Sequence, residues 1–409
     1  MKVLHVLGQR PEKTGSGIYV HAIMRTSQAH GFSNHMLAGI PAGDLPGLAG
    51  LSADSCTYVF FESAELPFPV TGMSDVMPYK SSLFRDLQDE RLTAYKRAFG
   101  RALQETVLQF EPDVIHSNHL FVLTALVRKN FPDVPLVTTC HGTDLRQYHN
   151  CRHLRPFVRK YCRDIDRVIA LTHDQKDDIV QAYDIPADRI VVTGGGYDES
   201  IFNRVPKAPA GTVQILYAGK FNRSKGVPWL LQSLKVLGDR DWHLHMAGGG
   251  QGPEYETCLA LADELGARVT VHGYVNHQRL SELMKQAHIQ VLPSFFEGLP
   301  LVLFEGLASG CRLIATNLSG FTEIFRPARP DTVHLIDLPP LETIDRPYKK
   351  DEARMENMLA AALETMMVKV RHSPDFNDAG ADAIARRYTW QRVFEKVLAV
   401  YLDIAAQPL

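Results

Sequence analysis

The sequence predicts an α/β protein of two domains, each a parallel β-sheet flanked by helices. Three observations lead there. Short apolar runs of strand length alternate with longer segments at helical spacing, the signature of repeated strand-helix units. The 409 residues exceed what one ordinary core holds. The strand-loop-helix pattern that opens at Lys2 starts afresh at Thr212, just beyond the Pro/Ala/Gly-rich stretch Val205 to Gly211, whose composition is that of an interdomain hinge. The boundary is placed near residue 200, giving 1–199 and 200–389.

Composition narrows the class. Hydrophobic residues make up 45% and charged residues 22%, the balance of a soluble globular protein. A net charge of -2 supplies no basic footprint for nucleic acid. No run approaches the roughly 18 apolar residues of a membrane helix, and Met1 to Gly8 is too short for a signal-peptide core, so a cytoplasmic location is expected. The six cysteines contain no CxxC pair, which points to reduced thiols rather than zinc or a disulfide framework.

In the first half, Lys2 to Leu7 reads as a buried strand, followed by a loop and a helix carrying Ile18, Ile23 and Met24 at helical spacing. Thr14-Gly15-Ser16-Gly17 at the helix entry is open to two readings, close approach of a ligand to the backbone or an ordinary Gly-rich turn. The stretch Gly39 to Met77 is loop-rich, with Pro41, Pro46, Pro67 and Pro69. A helix from about Ser82 to Phe110, a strand at Asp113 to His116, a helix near Leu120 to Lys129 and a strand at Pro135 to Thr139 follow. His116 and His119 have ligand-like spacing but no third ligand nearby, and a metal there is disfavoured. The strand ending at Thr139 runs into Cys140-His141-Gly142-Thr143-Asp144. Ligands gather beyond the carboxyl ends of strands in such sheets, which places His141 well. Cys151 to Arg167 interleaves Arg152, Arg155, Arg159, Lys160, Arg163 and Arg167 with Phe157, Val158 and Tyr161; a solvated basic face is the first reading and peripheral contact with an anionic membrane the second. Asp164-Ile165-Asp166 resembles a two-aspartate metal motif, yet leads straight into the strand Arg167 to Thr172, where Asp166 is expected to cap or orient structure.

The second half begins with the strand Thr212 to Gly219, the basic loop Lys220 to Gly226 and a helix from Val227 to Leu237. Lys220 and Lys225, beyond a strand end and ahead of a helix, suit phosphate oxygens. Trp242 to Ala247 then runs into Gly248-Gly249-Gly250-Gln251-Gly252-Pro253; the GxGxxG order is absent, which disfavours a dinucleotide site. Val269 to Val275 is a further strand. Within Val291 to Glu323, Pro300 opens a short buried helix that ends at Ser309-Gly310. Glu305 inside it needs a hydrogen-bond donor, because an unpartnered buried carboxylate is costly or protonated. A ligand hydroxyl pair would serve. Glu297-Gly298-Leu299, just ahead of the helix, offers backbone N–H groups to an anion. The closing helices run from about Glu352 to Arg371 and from Trp390.

Together these parts resemble the GT-B glycosyltransferases, specifically the large retaining family called family 4. The resemblance rests on Thr14 to Gly17, His141 to Asp144, Gly194-Gly195-Gly196-Tyr197-Asp198, Gly219-Lys220 to Lys225-Gly226, the Glu297/Glu305 pair, and Tyr388-Thr389-Trp390 with Tyr401. It implies a GT-B fold, two Rossmann-like α/β/α domains facing across a cleft, with the helix at 390–409 returning to the first domain. It implies a nucleotide-sugar donor on the second domain and an acceptor on the first: a sugar, a lipid-linked sugar or a small molecule. Glu305 would bind the ribose hydroxyls. Glu297 would contact the transferred sugar, Gly298, Leu299 and Pro300 would seat the diphosphate, and Lys220 and Lys225 would neutralise it. His141 would face the sugar, and Gly15, Ser16 and Gly17 would close over the phosphates. Gly250, Tyr274 and Val275 lie where base and sugar selectivity are expected. Lys220 stands where the family more often has Arg, and Gly306 where it commonly has Ala.

The implied reaction is retaining, metal-independent transfer of a hexosyl-type sugar to an acceptor hydroxyl, from a UDP-sugar ahead of GDP-mannose, in glycan, glycolipid or polysaccharide synthesis. No cofactor is expected. The alternatives are an epimerase or phosphorylase on the same fold, or a non-catalytic nucleotide-sugar-binding relative.

Overall fold

The computed structural model describes all residues except 13, 49–51, 76, 239, 344 and 407–409. The chain forms two compact units, Met1–Gly195 with Trp390–Leu409, and Gly196–Thr389. Residues 407–409 of the expected closing segment lie outside the described residues.

The first unit is a seven-stranded parallel sheet of β1 (Lys2–Leu7), β2 (Ser33–Pro41), β3 (Cys56–Phe61), β4 (Val114–Asn118), β5 (Leu136–Thr139), β6 (Arg167–Ala170) and β7 (Ile190–Val192), in the order β3-β2-β1-β4-β5-β6-β7. Chain order reverses between β1 and β4. At such a switch point the loops beyond adjacent strand ends diverge and leave a crevice for ligands. Two of these strands, β2 and β3, reach into the stretch read as loop from Gly39 onward. The correction has a physical cause: Pro41 closes β2, and β3 is an edge strand in which only Val59 and Phe61 are buried, so it carries half the apolar signal of a central strand. The helix expected from Ser82 begins at Asp89.

The second unit holds a six-stranded parallel sheet of β8 (Val213–Lys220), β9 (Trp242–Gly249), β10 (Val269–Gly273), β11 (Ile289–Leu292), β12 (Arg312–Thr316) and β13 (Val333–Ile336), ordered β10-β9-β8-β11-β12-β13. Its switch point lies between β8 and β11. Each sheet is buried in its own apolar core, one around Leu4, Phe99 and Val168, the other around Ile215, Leu230, Phe304 and Leu363.

The last helix, Trp390–Ala405, packs in the first unit: Tyr401 Oη lies 2.6 Å from His116 Nδ1, and the Trp390 ring stacks edge-on to Tyr19. The basic segment is shorter than expected, a turn at Arg152–Leu154 and the helix Arg155–Cys162. Arg155 donates to the carbonyls of Tyr148 and His149 at 2.6 Å, Arg159 pairs with Asp184, and Arg167 with Asp403. Asp166 accepts from Arg128 and from the Leu136 backbone N–H, the orienting role its position before β6 suggested.

Candidate functional site

At the switch point of the second unit, the loop after β8 and the loop after β11 are stitched together. Phe295 N–H donates to Ser224 O at 2.9 Å, and Lys225 Nζ donates to Phe296 O at 3.0 Å. Gly226 has φ +69, and a Cβ there would sit 1.9 Å from Pro293 O, so only glycine lets these two backbones meet. Lys225 Nζ lies 2.7 Å from Glu297 Oε2, while Ser294 Oγ donates to Glu297 Oε1 at 2.7 Å. The residues expected to hold diphosphate and sugar therefore hold each other. Lys220 ends β8, with its carbonyl accepting from Tyr217 Oη at 2.6 Å.

Behind this pair runs the helix Leu301–Ala308, with Pro300 as N-cap rather than first residue and no side chain capping its N-terminus. Pro300 brings no capping side chain to the leading N–H groups, and the helix dipole makes that end attractive to an anion. Gly310 follows with φ +85 and ends the helix as expected. Glu305 is 7% exposed and burial pushes its carboxyl up to about 8. Among the described residues no donor reaches it. Gly306 also has an explanation: a Cβ there would fall 1.6 Å from Gln290 Oε1. The fully buried Gln290 side chain, which donates to Val302 O at 3.0 Å, fills the space of an alanine methyl.

At the neighbouring strand ends, Gly248 has φ +128 and its absent Cβ would lie 1.9 Å from Gly219 O, and a Cβ on Gly249 would meet the Tyr274 ring at 2.8 Å. Tyr274 is exposed, and Val275 packs on the core beside it. Gly250 lies next to Phe221 and Tyr255.

In the first unit, Thr14 caps the helix Gly15–Ala29 by accepting from Gly17 N–H. A Cβ on Gly17 would strike Pro11 O at 2.5 Å, whereas Gly15 borders open space. The two readings of this loop thus divide between its glycines: Gly17 serves the fold, and Gly15 leaves backbone accessible. Ser16 is turned inward, accepting from Gln9 Nε2 at 3.0 Å.

His141 lies beyond β5. Its backbone N–H donates to Asp144 Oδ1 at 2.9 Å, its Nε2 lies 3.0 Å from Asn118 Oδ1, and its ring meets Tyr19 edge-on. Burial pushes its pKa down to about 3, so it is neutral at physiological pH. His116 is tied to Tyr401 and Thr139. Among the described residues no group of three or more His, Cys, Asp or Glu is arranged to hold a metal ion. All six cysteines are free.

Sequence reasoning missed Asn118 and Ser294, and it weighed His119 only as a metal ligand paired with His116. Asn118 and His119 sit at the carboxyl end of β4 beside the switch point, a position legible once strand order is known but invisible without it. Ser294 occupies the equivalent place beyond β11.

Residues 14–200 match the model for Glycosyltransferase Family 4, and residues 198–334 that for Glycosyl transferases group 1. The chain is similar to glycogen synthase of Mycobacterium tuberculosis, 25% identical over 338 residues, covering 79% of this chain and 80% of that protein. It is also similar to D-inositol 3-phosphate glycosyltransferase of Xylanimonas cellulosilytica, 28% identical over 262 residues, covering 59% and 57%. Among solved structures it matches sucrose-phosphate synthase of Thermosynechococcus elongatus with TM-score 0.75 at 18% identity, covering 99% and 100%, and Anabaena HepE in complex with UDP and glucose with TM-score 0.70 at 15% identity, covering 98% and 100%.

Proposed function

The chain belongs to the family 4 glycosyltransferases and has the GT-B fold, and from that premise we propose that it transfers a hexosyl group from a UDP-sugar to an acceptor hydroxyl with retention of configuration. The observation that carries this reading is Glu305. A carboxylate buried without a donor is costly to the free protein, and two adjacent ribose hydroxyls would supply the donors it lacks. HepE, a fold relative, has been solved with UDP-glucose, which supports UDP ahead of GDP-mannose.

In this mechanism the diphosphate draws Lys225 away from Glu297, and Lys220 adds a second positive charge. The N-terminus at Pro300, with Gly298 and Leu299, meets the remaining oxygens. Charge developing on the leaving diphosphate is thereby stabilised by groups already in place, so the reaction is expected to proceed in EDTA. Glu297, released from Lys225, turns to the sugar hydroxyls. Tyr274 and Val275 border the base, with Gly250 nearby. Within the first unit, His141 is the proposed contact for a substrate hydroxyl, and Gly15 leaves backbone open at the helix entry. The acceptor hydroxyl loses its proton to the departing phosphate, and no protein base is assigned.

The test is calorimetric titration of UDP and GDP into the protein and its Glu305→Ala variant, together with turnover of UDP-hexoses in EDTA. Tight UDP binding that is lost in the variant is the expected result. Unchanged affinity in the variant removes the ribose assignment, and sugar epimerised without an acceptor indicates an epimerase.

A further inference from the structure

We propose that Asn118 and His119 are positioning residues that hold the His141 imidazole with Nε2–H donated inward to Asn118 and Nδ1 presented outward as the acceptor for a substrate hydroxyl. This rests on the proposed transfer reaction and assigns a role to residues outside the donor-binding set.

The first ground is the hydrogen bond itself. His141 Nε2 lies 3.0 Å from Asn118 Oδ1. A carboxamide oxygen only accepts, so the proton resides on Nε2 and the lone pair on Nδ1. The opposite amide orientation would demand the opposite tautomer, and the two are separable by experiment.

The second ground is backbone geometry. Successive side chains of a strand point to opposite faces, so residues 118 and 119 would ordinarily diverge. His119 has φ +73, in the left-handed region that non-glycine residues rarely enter. This turn brings its ring to 4.8 Å from the His141 ring, so that two consecutive residues serve one imidazole. Such strain persists where the surroundings impose it, typically near functional groups.

The third ground is what His119 forgoes. It is 5% exposed, and both ring nitrogens are buried without a hydrogen-bond partner among the described residues. The nearest charged group is Asp144, whose Oδ1 is 3.7 Å from His119 Nδ1. Asn118 Nδ2 is likewise buried and unpartnered. The turn itself is secured by Phe121 N–H and Thr124 Oγ1, both donating to the His119 carbonyl at 2.7 Å, so what the fold leaves unpaired is the ring nitrogens of His119 and the Asn118 amide nitrogen. Asp144 completes the arrangement by accepting the backbone N–H groups of Leu120 at 2.8 Å and His141 at 2.9 Å, which clamps the two strand-end loops together. Tyr19 closes the remaining side of the ring at 5.2 Å between centroids.

Long-range proton-nitrogen NMR correlation on histidine-labelled protein reads the tautomer directly, with the His141 signals identified by their loss in His141→Gln. The expected result at pH 7 is a protonated Nε2 and a bare Nδ1. In Asn118→Ala this preference disappears and kcat falls about 100-fold, the scale of a misplaced contact, while donor KM stays within about twofold because the donor is held elsewhere. Asn118→Asp keeps an acceptor oxygen, so it retains the tautomer and recovers turnover at pH 8, while the added carboxylate gives the pH profile a new acid limb. A protonated Nδ1 in the wild-type protein overturns the assignment, as does a wild-type kcat in Asn118→Ala. The tautomer is read on the ligand-free protein, so absence of turnover with every donor would remove the transferase reading and leave this measurement standing.

Discussion

The two switch points are built from opposite chemistry. Beyond β8 and β11 the second unit gathers formal charge, Lys220, Lys225 and Glu297, with the protonated Glu305 carboxyl behind them. Beyond β1, β4 and β5 the first unit gathers amides and imidazoles, Gln9, Asn118, His119 and His141, while the formal charges there, Asp144 and Arg10, are engaged in hydrogen bonds within the unit. Burial holds His5 at about 4 and His141 at about 3, and pushes His116 below the usual range as well, so three imidazoles stay uncharged at neutral pH. On the proposed reading, a site that grips a diphosphate needs charge whose own cost is covered before the ligand arrives, and the Lys225–Glu297 pair would meet that need. On the same reading, a site that orients hydroxyl groups needs directional donors and acceptors, which the neutral His141 and the Asn118 amide would supply. The contrast teaches that one strand-loop architecture supports either task according to what occupies its strand ends.

Turnover tests the contrast most sharply. Glu297→Gln removes a charge but keeps the shape, and kcat should fall roughly 100-fold or more, in line with losing an interaction formed in the transition state, with UDP affinity little changed. Any change in UDP affinity should be a modest gain, because Lys225 is released from its partner, and an equal loss of UDP affinity would break the division between sugar and nucleotide contacts.

Next in size is Glu305→Ala, expected to weaken UDP binding by about 1.5–3 kcal/mol, the worth of hydrogen bonds to a charged group. His141→Ala should leave that affinity unaltered when both are measured by calorimetry.

Glu305 also gives a pH dependence with a definite sign. Its carboxyl is raised from 4.5 to about 8, so the folded protein holds a proton that the unfolded chain releases. Stability from this group is complete below 4.5 and declines as pH rises through about 8. Glu305→Gln should therefore melt higher than wild type at pH 8.5 and much like it at pH 4.5, a difference of up to a few kcal/mol. Ribose hydroxyls donate to the carboxylate, so UDP binding to wild type should release a proton and strengthen from pH 6 to 8, and Glu305→Gln should abolish both. A flat affinity profile in wild type would separate Glu305 from the ribose.

The smallest effect concerns the basic segment. With Arg155, Arg159 and Arg167 engaged inside the first unit, only weak co-sedimentation with anionic vesicles is expected at low salt, vanishing above physiological ionic strength. Strong binding at high salt would show that this surface does more than remain solvated.

Much of this was legible before folding, and the reason differs by residue. The parallel sheets announced themselves because central strands are buried on both faces and read as mostly apolar runs, interrupted only by His5 within Lys2–Leu7 and by Gln214 within Val213–Lys220. Glu305 stood out because a carboxylate inside an apolar helix conflicts with its surroundings whatever the tertiary arrangement. Edge strand Cys56–Phe61 escaped notice because its burial is one-sided, and Gly306 had no visible meaning until Gln290 was seen to occupy its space.

What the amino-acid sequence determined by itself was local: where strands end, which loops carry lysine, glutamate or histidine, and which residue lacks a partner. Tertiary structure alone decided the pairings. Lys225 meets Glu297, Asn118 meets His141, and His119 turns into the left-handed region because strand order brings loops far apart in the chain to one edge of a sheet. Hydrogen bonds and ion pairs depend on separations of about 3 Å, and no spacing along the chain encodes a separation across it.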